Sequence, residues 1–337
     1  MIFTLEVLQA KHGDCLMLHY GDADSPKTIL IDGGPGGVYD DHLLPRIEEL
    51  KAQLSPDDPF EFSMVMVSHM DDDHANGICR LTDDILSGNV EVNIQHLGRQ
   101  LRNNSAAIPI PLNYPFKTSD KGKNALVRTD TGQAEVQWDE LKITVLSPGN
   151  KRLEALQKQW DKDLKKALAD GDHSIVYASM LDNSPFNVSS IACMVECGGK
   201  KILLTGDGRS DDILTGLQEN GFLDENGRLH LDILKMPHHG SKRNMEESFL
   251  QAVTADHYVI SADGSNDNPD KALLDIFAGN ITAGTIHFTN AKGKKNIEQN
   301  LMDFQEQIAG DGSGLQVNIL NDGQSFMTIN LLDNFGY

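Results

Sequence analysis

Apolar residues recur with the short period of strands at the start of the chain and with helical spacing soon after. Ile2 to Leu8, Cys15 to Tyr20 and Thr28 to Ile31 predict three consecutive strands, and Leu43, Leu44, Ile47 and Leu50 predict a helix over His42 to Leu54. The run Phe62 to Val67 has the length and flanks of a buried strand, and a helix over Ala75 to Leu86 follows it. Val90 to Leu97, Glu135 to Trp138 and Leu141 to Leu146 predict further strands, the last two joined as a hairpin through Asp139-Glu140. Leu153, Leu156, Trp160 and Leu164 then mark the apolar stripe of an amphipathic helix.

The second half follows the same logic. Ile191 to Cys197 and Lys201 to Leu204 predict a hairpin closed by Gly198-Gly199, followed by a helix from near Ser210 and a strand over Leu231 to Met236. Strands at His257 to Ser261 and Thr285 to Phe288, separated by helices, lead to a helix over Ile297 to Ile308 and a terminal hairpin from Val317 to Leu331. Two β-rich halves backed by helices predict an α+β or α/β architecture.

With 337 residues, 39% of them hydrophobic, the chain could fill one large domain or two small ones. A continuous string of motifs favours a single domain over residues 1–337, interrupted by a polar insertion at about 98–131 rich in Asn, Pro, Lys and Gly. Such a long irregular stretch suits a lid or a partner surface. No apolar run reaches the length of a membrane span, and the N-terminus lacks a basic region and a cleavage site. Cys15, Cys79, Cys193 and Cys197 are scattered without a C-x-x-C pair, so a reducing cytoplasm is expected. The balance of 29 basic against 50 acidic residues, a net charge of −21, disfavours a grip on long duplex nucleic acid. It leaves room for a small-molecule or short nucleic-acid substrate. Oligomeric state has no signature in the sequence.

Candidate chemistry concentrates in Ser68-His69-Met70-Asp71-Asp72-Asp73-His74-Ala75-Asn76-Gly77, directly after the Phe62 strand, with Asn76 and Gly77 marking a turn into the helix. Divalent cations need unprotonated imidazole or carboxylate donors, and two neighbouring cations need ligands that face different ways. His69 and Asp71 are two apart and can share a side, while Asp73 and His74 turn to the other. A solvated acidic turn with two incidental histidines is the plainer reading. Asp207, in Gly206-Asp207-Gly208 at the end of the Lys201 strand, sits where a carboxylate shared by two cations would have to be; its alternative is an N-cap for the Ser210 helix. His238 and His239 follow the strand stopped by Pro237, and a surface histidine pair is the alternative there.

The His69–His74 hexamer resembles the HxHxDH signature of the metallo-β-lactamase superfamily with Asp71 in place of its second histidine. It is most similar to the branch formed by the metallo-β-lactamase-like domain of competence (DNA-uptake) channel proteins and their free-standing relatives. Three further segments fall in the order of that branch: Lys11-His12-Gly13-Asp14-Cys15 with Ile31-Asp32-Gly33-Gly34, then Leu203-Leu204-Thr205-Gly206-Asp207, then Leu234 to Ser241. The resemblance implies an αββα four-layer sandwich, classed as α+β, with cations at the edge where loops of both sheets meet. It implies His69, Asp71, Asp73, His74, Asp207 and one of the paired histidines, preferably His239, as ligands of two divalent ions, zinc or manganese. His238 would then contact substrate or developing negative charge, although the two roles could be exchanged.

Asp73 has a second job open to it, orienting the attacking water, and Asp14 and Asp32 are expected to support the ligand loop. Where the wider superfamily has a further histidine, this chain has Asn187 to Ala192, which leaves the first cation His69, Asp71, Asp207 and solvent. Carboxylate-rich ligation moves preference toward harder ions, so manganese is as plausible as zinc. The expected activity is metal-dependent hydrolysis of a phosphodiester by a nuclease or phosphodiesterase. Hydrolysis of a small ester, lactone, amide or thioester, and a non-catalytic module with a vestigial site, are the alternatives.

Overall fold

A computed structural model describes residues 1–55, 58–94, 129, 135–149, 151–155, 158, 189–293, 296–310 and 312–336. Among them, strands Ile2–Leu8 (β1), Leu16–Gly21 (β2) and Pro26–Ile31 (β3) lead through a wide helical turn, Tyr39–Leu43, into helix Leu44–Lys51 (α1). Strand Glu61–Met66 (β4), helix Asp72–Ser87 (α2) and the short strand Asn93–Ile94 (β5) complete the first part. The second comprises Glu135–Trp138 (β6), Leu141–Ser147 (β7), Ala192–Cys197 (β8), Lys200–Leu204 (β9), Ser210–Glu219 (α3) and Leu229–Lys235 (β10). It continues with Glu247–Ala252 (α4), Val253–Ile260 (β11), Lys271–Asn280 (α5), Ala283–Phe288 (β12), Ile297–Gly310 (α6), Gly314–Ile319 (β13) and Phe326–Asn330 (β14).

These strands form two mixed sheets, in the orders β14-β1-β2-β3-β4-β5 and β13-β12-β11-β10-β9-β8-β7-β6. Alternation along each strand sorts side chains between faces. Phe3, Leu5 and Val7 of β1 meet Val195, Ile202, Ile233 and Val259 of the second sheet in one apolar layer. Helices α1 and α2 cover the far face of the first sheet through Ile47, Leu50, Ile78 and Leu81. Ile213, Phe249, Phe277 and Phe304 cover the far face of the second. The result is a layered α/β sandwich. Burying roughly 25 cal/mol per Å² of apolar surface, three such layers supply the main drive to fold. Among the described residues no helix is long and apolar enough to cross a membrane.

Charge enters the helix-covered face of the first sheet at Glu6. Glu6, on the helix side of β1, is fully buried, and Arg46 of α1 meets it with Nε–Oε1 2.9 Å and Nη2–Oε2 3.0 Å. Burial works against the Glu6 charge, but hydrogen bonds from His19 and Arg46 outweigh it and lower the carboxyl's pKa. The pair fixes α1 on the sheet, because removing either partner would leave a buried charge alone.

Parallel neighbours decide where the site forms. Strands β3 and β4 are parallel, as are β9, β10, β11, β12 and β13 in succession, so their carboxyl ends share an edge within each sheet. Crevices outside such ends are the usual ligand sites of open α/β sheets.

Three sequence expectations change. The terminal segment is no hairpin: β13 pairs parallel with β12, and β14 pairs antiparallel with β1 in the other sheet. A hairpin would have left the β1 edge unpaired, whereas crossing between sheets closes it and buries Met327 and Ile329. Helix α2 starts at Asp72 rather than Ala75, with Asp71 extended and its carbonyl accepting from the amides of His74 and Ala75. Two acidic residues in the first turn complement the helix dipole. Of the Val90 strand only Asn93–Ile94 is a strand among the described residues. The insertion at about 98–131, apart from Thr129, lies outside the described residues, as do Leu156, Trp160 and Leu164; residues 151–155 are helical.

The Ile31-Asp32-Gly33-Gly34 turn docks on α2 through bare backbone. Gly33 N–H donates to His74 O at 2.7 Å, and Gly77 N–H to Gly34 O at 3.2 Å. A Cβ on Gly77 would overlap the Gly33 carbonyl. We therefore expect Gly77→Ala to lose about 1–3 kcal/mol of stability. A urea midpoint equal to that of the unsubstituted protein would contradict this docking.

Candidate metal centre

Four imidazoles surround one buried carboxylate. Asp207, at the end of β9, is 1% exposed, and its backbone N–H donates to Ser190 Oγ at 3.0 Å. Its Oδ1 lies 3.1 Å from His74 Nε2 and 3.4 Å from His239 Nε2. Its Oδ2 lies 3.5 Å from His238 Nε2 and 3.7 Å from His69 Nε2. Asp207 is thus no cap for α3, whose N-cap residue is Arg209.

Each imidazole is fixed through its other nitrogen. His74 Nδ1 faces Asp32 Oδ2 at 2.8 Å, and His239 Nδ1 faces the Ser261 carbonyl at 3.0 Å; both partners only accept, so both Nδ1 atoms donate. Ser68 Oγ donates to Asp32 Oδ2 at 2.7 Å and therefore accepts from His69 Nδ1 at 3.1 Å. His238 Nδ1 lies 3.0 Å from Asn244 Oδ1. All four Nε2 atoms are left turned toward Asp207. This is the arrangement in which supporting hydrogen bonds set histidine ligands.

Donor spacing tests whether a cation fits. Ligands about 2.0–2.1 Å from a tetrahedral ion lie roughly 3.3–3.4 Å apart. His74 Nε2 and His239 Nε2 are 3.2 Å apart and lie 3.1 and 3.4 Å from Asp207 Oδ1, three donors of that spacing, and Asp73 Oδ2 is 3.5 Å from His239 Nε2. On the other side, His69 Nε2 is 3.6 Å from Asp71 Oδ2 and 3.7 Å from Asp207 Oδ2. His69 Nε2 and Asp207 Oδ1 are buried without a hydrogen-bond partner, a cost that a cation would remove. The residues fit one divalent ion at the His74–His239 end and offer donors for a second.

Asp14 also lies in this cluster, its ligand atom within 4.8 Å of those of His74, Asp207 and His239. It faces the wrong nitrogen to be a ligand: its Oδ1 is 3.5 Å from His239 Nδ1, and its Oδ2 is 2.8 Å from the buried Lys235 ammonium. Asp14 supports His239, and Lys235 compensates its charge. Asp32 accepts from the Ser68 backbone N–H at 2.7 Å as well as from His74, so it ties the ligand loop to β3.

The sequence expectations therefore meet at one place. His69, Asp71, Asp73, His74, Asp207, His238 and His239 converge, with Asp14 and Asp32 behind them. Ser68, Lys235, Asn244 and Ser261 were not singled out as supports. A lysine inside the apolar Leu231 strand was a usable signal; Asn244 and Ser261 carry no local one. His287 lies apart from the cluster, 3.0 Å from His257 Nδ1.

Electrostatics follow from this crowding. Burial opposes the charge of Asp73, but His74 and His239 hold its pKa down at about 2. Burial likewise opposes the charge of His239, yet Asp207, Asp14 and Asp73 hold it up at about 9. His74 is raised by Asp207, Asp32 and Asp73 against its burial, and Asp207 is lowered by the surrounding histidines. His238 is lowered, because burial outweighs the pull of Asp207.

A scan against protein-family models and a search of curated proteins return no match to the chain.

A cation in this cluster would compete with protons for the same nitrogens, which gives a signed pH dependence. In the metal-free protein, His239 contributes stability fully below about pH 6.5 and loses it as pH rises through about 9. Asp73 contributes above about pH 3.8 and loses its share as pH falls toward about 2. We expect manganese or zinc binding at pH 7 to release about two protons, from His74 and His239, and fewer above pH 9. Calorimetry in buffers of different ionisation enthalpy measures this; pH-independent binding without proton release would mean that these imidazoles do not meet the ion.

Proposed function

We propose that the protein is a metal-dependent hydrolase of the metallo-β-lactamase fold that uses two divalent cations, zinc or manganese, to cleave a phosphodiester. The observation that carries this reading is the pairing of four imidazole Nε2 atoms on the two oxygens of one buried aspartate, flanked by Asp71 and Asp73. The family assignment rests on the ordered motifs from Lys11 to Ser241 and is supported by helices covering the outer faces of two stacked sheets. Two such cations, when bound, would lower the pKa of water toward neutrality and hold the oxygens that gain charge in an in-line displacement.

The chain's own residues prepare that chemistry. Asp207 stands between the two donor sets, while Asp32, Ser68 and Ser261 hold three imidazoles in one tautomer, so little reorganisation is needed during reaction. Asp73, more open than the other carboxylates of the cluster at 22% side-chain exposure, is the group placed to accept a hydrogen bond from the attacking water. Attack at phosphorus then breaks the bond to the leaving oxygen and yields a phosphomonoester and an alcohol.

Acidic character limits the substrate. With a net charge of −21 the surface repels a long duplex, so a short or small phosphodiester is proposed, with bound cations supplying the local positive charge. The same acidity favours, as a second reading, a small ester, lactone, amide or thioester. A reducing cytoplasm is the proposed compartment, supported by four cysteines that are all free thiols.

We expect bis(p-nitrophenyl) phosphate to be hydrolysed best with manganese, and Asp73→Ala and His239→Ala each to lower kcat/KM by about 100-fold or more. Turnover of a p-nitrophenyl ester alone would move the assignment to the second reading. Metal uptake with turnover of neither would leave a binding module.

A further inference from the structure

We propose that His12, backed by Asp263, gives the leaving oxygen its proton when the phosphodiester is cleaved. This rests on the phosphodiesterase reading above and adds the residue that serves the departing side of the reaction.

Place is the first observation. His12 sits in a tight turn in which Gly13 N–H donates to Ala10 O at 2.9 Å, and that turn meets two segments of the cluster. On one side a Cβ on Gly13 would overlap the Asp73 carbonyl, and Asp14 N–H donates to the same oxygen at 3.2 Å. On the other, Ser261 Oγ donates to Gly13 O at 2.6 Å, and the Ser261 carbonyl is the one that holds His239. His12 is thus one residue from backbone that touches both Asp73 and the support of His239.

An unanswered nitrogen is the second. His12 Nδ1 is buried and has no hydrogen-bond partner, with Asp263 Oδ2 3.9 Å away. The side chain is nevertheless 34% exposed, so the part of the ring away from Nδ1 meets solvent. Asp263 is a fixed partner, because Ser265 N–H donates to its Oδ1 at 2.9 Å and a Cβ on Gly293 would overlap its carbonyl. Burial works against the Asp263 charge, but His12 and Ser265 hold its carboxyl well below the ordinary carboxylate range. An imidazole that faces a carboxylate through one nitrogen and opens to solvent at the other suits a general acid, and such contacts are often long before substrate binds.

The third is what the cluster lacks. Its four imidazoles engage their supports through Nδ1 and turn Nε2 to Asp207, Asp73 serves the attacking water, and Lys235 is buried against Asp14. An alkoxide leaving group needs a proton from elsewhere, and histidine exchanges one near neutrality. The step balances. Water gives a proton to Asp73 as its oxygen bonds to phosphorus, the bond from phosphorus to the leaving oxygen breaks, and the His12 Nε2 proton joins the electron pair left on that oxygen. The alcohol departs neutral, and solvent carries the Asp73 proton back to His12.

Leaving-group dependence separates this role from a structural one. Methyl p-nitrophenyl phosphate releases an anion that is stable without a proton, whereas methyl phenyl phosphate releases a far more basic phenolate. Both would be assayed with manganese on the full chain, on His12→Gln and on Asp263→Asn, with urea denaturation as a folding control. We expect His12→Gln to lower kcat about 100-fold on the phenyl substrate and to stay within about threefold on the nitrophenyl one. Asp263→Asn keeps an acceptor for Ser265 and leaves the imidazole in place, so it repeats the comparison independently and should show the same preference.

Manganese affinity of His12→Gln should stay within about threefold of the original, below the 10–100-fold that a support of a metal ligand accounts for. Equal losses on both substrates, or no loss on methyl phenyl phosphate, would overturn the inference and leave the phosphodiesterase reading standing. If the unsubstituted protein turns over neither phosphodiester, both fall.

Discussion

One carboxylate organises this molecule. Asp207 is buried, and an isolated ionised carboxylate in that position would be strongly disfavoured. The fold resolves this by bringing positive or polarisable groups to it from β4, α2 and β10, so that each oxygen of Asp207 faces two imidazoles. Everything around the cluster serves that meeting. Asp32, Ser68, Asn244 and Ser261 act on the far nitrogens of the imidazoles and leave the near ones facing Asp207.

The same crowding makes the centre a place where a metal ion, if bound, would compete with protons. Without metal, His239 keeps its proton up to about pH 9 and Asp73 stays ionised down to about 2. A bound cation would take over the role of those protons, which would couple stability, metal affinity and acidity through a few atoms. Lys235 stands outside the exchange, its ammonium 2.8 Å from Asp14 and its place in the core fixed by the Met236 carbonyl.

Backbone geometry does as much as side-chain chemistry. Parallel strands put their carboxyl ends at one edge, which brings segments near residues 69, 207 and 238 together although they lie far apart in the chain. Gly13 and Gly33 let two early turns lie directly on the backbone near Asp73 and Gly77, where a side chain would overlap. The opening motifs thereby brace the segment that carries His69 to His74.

The sequence by itself determined the element types, the identity of the converging residues and the acidic surface, because periodicity, ligand-type residues and charge are local properties. The hexamer at 69–74, Asp207 and the paired histidines stood out by composition and by their place at strand ends. Tertiary structure alone decided that β13 and β14 belong to different sheets, that α2 begins at Asp72, that Asp14 pairs with Lys235, and which imidazole reaches which oxygen of Asp207. Those outcomes depend on edge pairing, on two left-handed residues in succession, His238 and His239, and on hydrogen bonds between residues tens to hundreds of positions apart. Local pattern carries no record of such long-range contacts.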